Sequence, residues 1–188
     1  NPKLTPGDTE ALREQLTLAA HVSGEATSSG TVAAYGKSID GMSIVGRDAV
    51  YPLIDNIPLA SGRHLIEIDD RENAQVAVIG WEIYEALIAP RDAVGRTIRI
   101  GARHFRVVGV TAKRDRVLGS SRDRFVIVPI GAYRKVYGPN QSLDIKIMAA
   151  DIRNLEAAIE EATVAMRIRH NLGPRDENDF AVSTSEQL

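Results

Sequence analysis

Apolar positions recur at helical spacing near both ends of the chain and at strand spacing between them. Leu4-Thr5-Pro6-Gly7-Asp8 reads as a helix start: Thr5 is the cap, Pro6 suits the first helical position and Asp8 lies three residues after the cap. Leu12, Leu16, Ala19 and Ala20 carry the period on, predicting a helix to about Ala20. Asp151 caps a second helix, predicted to reach about His170, with Leu155, Ala158, Ile159, Ala162 and Met166 as its apolar stripe. At ~1.5 Å per residue it is roughly 30 Å long, and Gly173-Pro174 ends it.

Between the helices the pattern is that of strands. Glu25 to Gly36 predicts a half-exposed strand, Gly41 a turn, and Met42 to Gly46 a returning strand. Tyr51 to Gly62 carries Pro52 and Pro58, which disfavour a central strand, and is read as an extended crossover. Gln75 to Gly80 is a short buried strand. Trp81 to Ile88 is a short helix with Trp81, Tyr84, Leu87 and Ile88 on one side. The best-defined stretch is Asp92 to Val110, two strands around a Gly101-Ala102 turn, the second so apolar from Phe105 on that it is expected to be covered on both faces. A polar loop, Ala112 to Arg124, leads to a strand at Phe125 to Val128, and Pro129 opens a helix closing near Gly138. Leu143, Ile145 and Ile147 alternate with polar positions in a strand from Ser142 to Ala149, and Asp179 to Ser183 predicts a last strand.

The order is α-β-β, a β-rich middle, then β-α-β. The expected fold class is α+β. A discontinuous split-βαβ subdomain is built from both chain ends, residues 1–56 and 140–188, and a mainly-β subdomain, residues 57–139, is inserted between them.

With 188 residues and a net charge of −2, the chain has core enough to fold and no charge bias toward nucleic acid. Cysteine is absent, which suits an oxidising compartment. No run of about 18 apolar residues suggests a membrane span, and no signal peptide is seen. The chain is expected to be an excised piece of something longer.

Catalytic chemistry finds little support. None of His21, His64, His104 and His170 pairs at metal-ligand spacing. His64 lies near Glu67, Asp69 and Asp70, where an exposed acidic turn is the expectation and a cation site the alternative. His170 follows Arg167 and Arg169 and suits the negative end of a helix dipole. Ser120-Ser121 is in no nucleophile elbow, and Gly119-Ser120-Ser121-Arg122 is no phosphate loop. Asn140-Gln141-Ser142 fits a glycosylation sequon. Arg114, Arg116, Arg122 and Arg124 are balanced by Asp115 and Asp123 and read as a solvated loop. Neither catalytic nor metal-binding residues are expected.

Several phrases, in order, carry a resemblance. They are Leu59 to Leu65 in an L-x-x-G-R-x-L pattern with Asp69 and Asp70 beyond, and Val78-Ile79-Gly80 before a short helix. Asp92 to Gly101 (D-A-V-G-R-T-I-R-I-G) and Phe105 to Val110 (F-R-V-V-G-V) follow. Then come Phe125 to Pro129, Tyr137-Gly138, and R-x-R-H…D-x-x-D-F from Arg167 to Phe180. Together they resemble the periplasmic core domain of MacB-type (FtsX/MacB) ABC transporter permeases. Ala93 and Arg96 stand where that family often has Pro and Lys.

The resemblance implies a non-catalytic, extracytoplasmic domain on the periplasmic side of the bacterial cell membrane. It would transmit ATPase-driven motion outward for export or lipoprotein release. It implies flanking transmembrane helices, one before and three after, and a family strand ahead of the opening helix. The implied partners are those helices, a cytoplasmic ABC ATPase, a second permease copy and a periplasmic adaptor protein. Neither a cofactor nor a nucleic acid is implied. The subdomain made from the chain ends would be membrane-proximal, with Asn1 and Leu188 on one side. Arg116, Arg122 and Asp123 of the polar loop are the expected contacts to a dimer mate or envelope partner. The competing reading is an extracytoplasmic ligand-binding or sensing module, and a soluble hydrolase is disfavoured for lack of residues.

Overall fold

Thr5 opens the first helix by local chemistry. Its hydroxyl accepts from the Asp8 N–H at 3.2 Å and the Asp8 carboxylate accepts from the Thr5 N–H at 2.9 Å, a reciprocal capping box. Helix α1 spans Pro6–Gln15. In the computed structural model, which describes residues 3–185, it stops short of Ala20 because Leu16 is extended. The next amides, those of Thr17 and Leu18, donate to the Glu161 carboxylate at 2.7 and 3.0 Å instead of to the helix.

Strand β1 (Ala19–Ala34) therefore begins earlier than the pattern suggests, and β2 (Lys37–Arg47) pairs back on it. Their turn is at Tyr35-Gly36, both in the left-handed region, not at Gly41. Gly41 instead sits in a bulge, where Asp40 and Gly41 together oppose Thr31. The crossover then contains a helical turn, α2 (Tyr51–Ile54), that takes Pro52 into its first turn, and β3 (Leu59–Gly62), which starts just past Pro58. Next come α3 (Glu67–Arg71), β4 (Val76–Ile79), and α4 (Trp81–Ile83), which continues through one π turn to Ile88. Strands β5 (Thr97–Ile100) and β6 (Arg103–Thr111) form the expected hairpin. They are followed by β7 (Phe125–Pro129), α5 (Ile130–Tyr137), β8 (Asp144–Ala149) and α6 (Leu155–Arg169).

The chain divides into two compact units, Asn1–Gly24 with Ser142–Leu188, and Glu25–Gln141. The inserted unit thus begins at Glu25, not near residue 57, and ends at Gln141 instead of 139. The reason is pairing: residues Ser43 to Arg47 of β2 run parallel to β7, so the β1–β2 hairpin belongs to the inserted sheet.

In the unit Glu25–Gln141 the strand order β2-β7-β4-β6-β5-β1 returns to its start, because β1 pairs β2 on one edge and β5 on the other. Phe105, Val107, Val108 and Val110 of β6 are all buried, so both faces of that strand are covered. Two glycines let β6 approach its neighbour. A Cβ on Gly62 would strike the Val108 carbonyl, and one on Gly109 the Arg63 carbonyl. Tyr51, Leu65, Val76, Val78, Val108 and Ile127 form one core cluster here.

The unit from the chain ends has mixed α/β content, as expected. Its core is Leu12 of α1, Val22 of β1 and Met166 of α6, packed with Ile145 and Ile147 of β8. Both terminal helices thus cover the same pair of strands. Asp151 caps a 3₁₀ turn, Ile152–Asn154, ahead of α6, whose 15 residues span ~22 Å instead of roughly 30 Å. The strand expected at Asp179 to Ser183 does not form: no ladder engages it. Asp179 and Phe180 turn instead toward His170, and Val182 stays exposed. Asn1 and Leu188 lie outside the described residues. No described helix is long and apolar enough to cross a membrane.

Candidate functional site

The loop between β6 and β7 is held at its base and free at its tip. Asp123, only 4 % exposed, accepts from the Arg114 N–H at 2.9 Å and from Arg114 Nε at 3.1 Å. The Arg114 guanidinium also donates to the Arg122 carbonyl and lies 5.5 Å from the Phe125 ring centroid. Gly80 gives the returning chain room, since a Cβ there would meet the Asp123 carbonyl, and its N–H donates to the Phe125 carbonyl at 2.9 Å. On the other side, Ser43 N–H donates to the Arg124 carbonyl at 3.1 Å.

At the tip, Val117 and Ser120 exchange two backbone hydrogen bonds of 3.1 and 2.9 Å across a two-residue turn. Both turn residues, Leu118 (φ 51°) and Gly119 (φ 78°), are left-handed. Leu118 is fully exposed, and Val117 is 52 % exposed. Arg116 and Arg122 flank the tip, also exposed, and no ion pair among the described residues engages their side chains. The tip thus holds a leucine out in solvent, in a conformation unfavourable for a side chain with a Cβ, between two exposed arginines.

Of the three expected contacts, the structure leaves Arg116 and Arg122 at this surface and removes Asp123 from it. The carboxylate is turned inward, where a buried charge needs partners, and Arg114 supplies them with its backbone N–H and its Nε. The charge pattern does not single out Leu118, and it reads Arg114 as one more solvated cation where the structure makes it the anchor of the loop base. The signal was present in Val117-Leu118-Gly119-Ser120, an apolar pair ahead of a glycine inside a polar loop.

The other candidates are structural. His64 accepts and donates within the fold: Nε2 lies 2.8 Å from the Ile57 carbonyl, which can only accept, and Nδ1 lies 2.5 Å from the Tyr51 hydroxyl. Burial pushes the Tyr51 hydroxyl well above its ordinary range, so it remains a donor to Nδ1. Asp69 is held by Arg63 at 2.7 Å and caps the Ile66 N–H at 2.9 Å. Burial raises its pKa, but Arg63 and the Ile66 amide outweigh this and leave the carboxyl below its ordinary value. Asp70 accepts from the Ala49 N–H at 2.7 Å. No group of three His, Asp or Glu side chains suited to a metal ion occurs among the described residues.

The R-x-R-H…D-x-x-D-F stretch is a clasp. Arg167 donates to Asn178 and to the Gly173 carbonyl, both at 2.6 Å. Arg169 Nε donates to Asp8 at 2.6 Å. His170 lies between Asp179 (2.8 Å) and Asp8 (3.2 Å), with Phe180 edge-on at 6.2 Å. The Asp179 hydrogen bond raises the His170 pKa against an opposing burial effect, and Asp8 adds to the rise.

A family profile described as MacB-like periplasmic core domain matches residues 1–165. The chain is 26% identical over 187 residues to the macrolide export ATP-binding/permease protein MacB of Chlorobaculum tepidum, covering 99% of this chain and 29% of that protein. It is 33% identical over 146 residues to the pyoverdine export ATP-binding/permease protein PvdT of Pseudomonas fluorescens, covering 74% of this chain and 22% of that protein. The chain thus spans less than a third of these relatives. Its fold is similar to the periplasmic region of MacB from Actinobacillus actinomycetemcomitans (TM-score 0.79, 24% identity, 91% of this chain and 76% of that one). It is similar also to the extracellular domain of the noncanonic ABC-type transporter YknZ from Gram-positive bacteria (TM-score 0.78, 17% identity, 91% and 87%).

Proposed function

We propose that this chain, which belongs to the MacB-like periplasmic core domain family, is the extracytoplasmic part of an ABC exporter permease and carries motion rather than chemistry. Conformational change driven by a cytoplasmic ATPase reaches it through flanking transmembrane helices and passes to the outer side of the membrane, for export or lipoprotein release. The observation that carries the reading is the family match across residues 1–165. The names of the relatives, both ATP-binding/permease proteins for export, support the ATPase partner.

In this reading the unit from the chain ends is a porter-like, split-βαβ layer and receives the displacement. Its two helices are tied to each other and packed on one apolar cluster, so α6 moves as a body instead of bending. The tip at Leu118, with Arg116 and Arg122, meets a second permease copy or a periplasmic adaptor. In the full-length permease with its ATPase, replacing residues 3–185 by a flexible linker should leave membrane insertion and ATP hydrolysis in place and abolish export. Export at the unaltered rate would overturn the proposal.

A further inference from the structure

A second feature of the unit Glu25–Gln141 is used by none of this. An open cleft of about 490 Å³ lies where the Tyr35-Gly36 turn meets the β5–β6 hairpin, and Lys37, Ser38, Thr97, Arg99 and His104 line it. Pairing explains why Ser38, Arg99 and His104 converge, and Lys37 joins them from the adjoining turn. Ser38 is opposite Ala33, Ala33 opposite Arg99, and Arg99 opposite His104, so one row crosses four strands on one face. Ala33 supplies only a methyl between Ser38 and Arg99, which leaves the depression.

The charge in this row is one-sided. Arg99 and His104 are direct cross-strand neighbours, an arrangement that costs stability when both carry charge. No carboxylate lines the cleft, and among the described residues none pairs with Lys37, Arg99 or His104. The chain as a whole has a net charge of −2, so this concentration is local and not inherited from a basic surface. At the rim, Tyr35 is held at φ 52°, a costly conformation for a bulky residue. The Arg91 guanidinium lies 4.1 Å over its ring and adds a further cation.

We propose that this cleft binds a phosphate-bearing ligand. The Arg99 fork would take two phosphate oxygens, Lys37 and His104 would donate from the sides, and the Ser38 hydroxyl would donate from the opposite wall. The volume holds a phosphate together with the group attached to it, so either a soluble phosphate ester or an anionic lipid headgroup meets the same donors.

The test is titration of the 188-residue chain with inorganic phosphate, followed by backbone and histidine-ring NMR. Saturable shifts should concentrate on Lys37, Ser38, Arg99 and His104. R99Q should weaken binding roughly tenfold to a hundredfold and H104Q less, while R71Q, an exposed cation elsewhere, leaves it unchanged. Arg99 and His104 are both exposed, so these variants keep the fold, and their spectra report it directly. Flotation with phosphatidylglycerol vesicles, against phosphatidylcholine vesicles, separates the sources. Arg99-dependent capture by the former assigns the headgroup, and phosphate binding without capture assigns a soluble ligand. Shifts that do not saturate, that spread over every exposed cation, or that survive both R99Q and H104Q would overturn the proposal.

Discussion

Arg169 Nε and Asp8 Oδ1, 161 positions apart in sequence, lie 2.6 Å from each other and join the last turn of α6 to the first turn of α1. The carboxylate has three tasks at once: it caps Thr5, anchors Arg169 and accepts from His170. Both helix-end charges also suit the macrodipoles they face. Asp8→Ala should therefore lower the stability of the chain-end unit by roughly 2–3 kcal/mol, the cap and a charged hydrogen bond together, discounted for the partial exposure of Arg169. Denaturant midpoints of the two proteins measure it, and a difference below about 0.5 kcal/mol would contradict the assignment.

The same cluster predicts a pH window. His170 is raised above its ordinary 6.5, so its contribution is complete below that value and is lost as pH rises through the folded-state pKa. Asp8 feels burial first, which raises it, but Thr5, Arg169 and His170 outweigh this and hold it below its ordinary 3.8. Its contribution is complete above 3.8 and is lost as pH falls through the folded-state pKa. Melting temperature should plateau between about pH 4 and 6.5 and decline on both sides. His170→Gln should flatten the upper decline and also weaken the acid-side one in part, since Asp8 keeps Thr5 and Arg169 but loses His170, a pattern read from melts across pH 3 to 9.

Met166 and Ile168 are two positions apart on α6 and face opposite ways. Met166 is buried against Leu12 and Val22, whereas Ile168 is largely exposed. Met166→Ala should cost about 2–4 kcal/mol and Ile168→Ala less than about 0.5. Equal losses in urea unfolding would mean that the helix face is misassigned.

The β6–β7 loop should separate folding from recognition. Leu118→Asn, which tolerates φ 51° better and removes an exposed apolar side chain, should raise stability by about 0.5 kcal/mol or leave it unchanged. Asp123→Ala removes the base of the loop and should cost about 1–3 kcal/mol, with faster amide exchange across residues 112–124. In the full-length permease, Leu118→Asn and the double reversal Arg116→Glu/Arg122→Glu should both depress export without affecting membrane insertion. Normal export in both would place the contact elsewhere.

What could be read in the sequence was what neighbours in sequence decide. Thr5 with Asp8, the Gly101 turn, and the Pro129 to Gly138 helix depend on residues within a few positions, and all form as their types dictate. The start of β1 depends on β8, far away in sequence, so Ala19 and Ala20 resembled a helix tail. Tyr35 as a turn residue runs against its own preference, and only the pairing of β1 with β2 and β5 puts it there. In the loop, the alternation of Arg and Asp cannot say which charge faces inward. Arg114 and Asp123 are fixed by the shape of Gly80 and Phe125, residues from other elements. The Asp179 to Ser183 stretch had a strand's composition, and its Asp179 and Phe180 went to the clasp around His170 instead.

That one unit is assembled from the two ends of the chain has a consequence for the order of synthesis. Helix α1 leaves the ribosome ahead of the whole inserted unit, yet the residues it packs on, Met166 and Ile145 among them, follow that unit. Residues Glu25 to Gln141 carry their own pairing partners and can fold while α1 still waits. A nascent chain truncated before α6 would hold a finished inserted unit and an orphaned helix with Leu12 in water. Protease protection of α1 should therefore appear only once Arg169 has emerged, which makes the clasp a signature that this unit has closed.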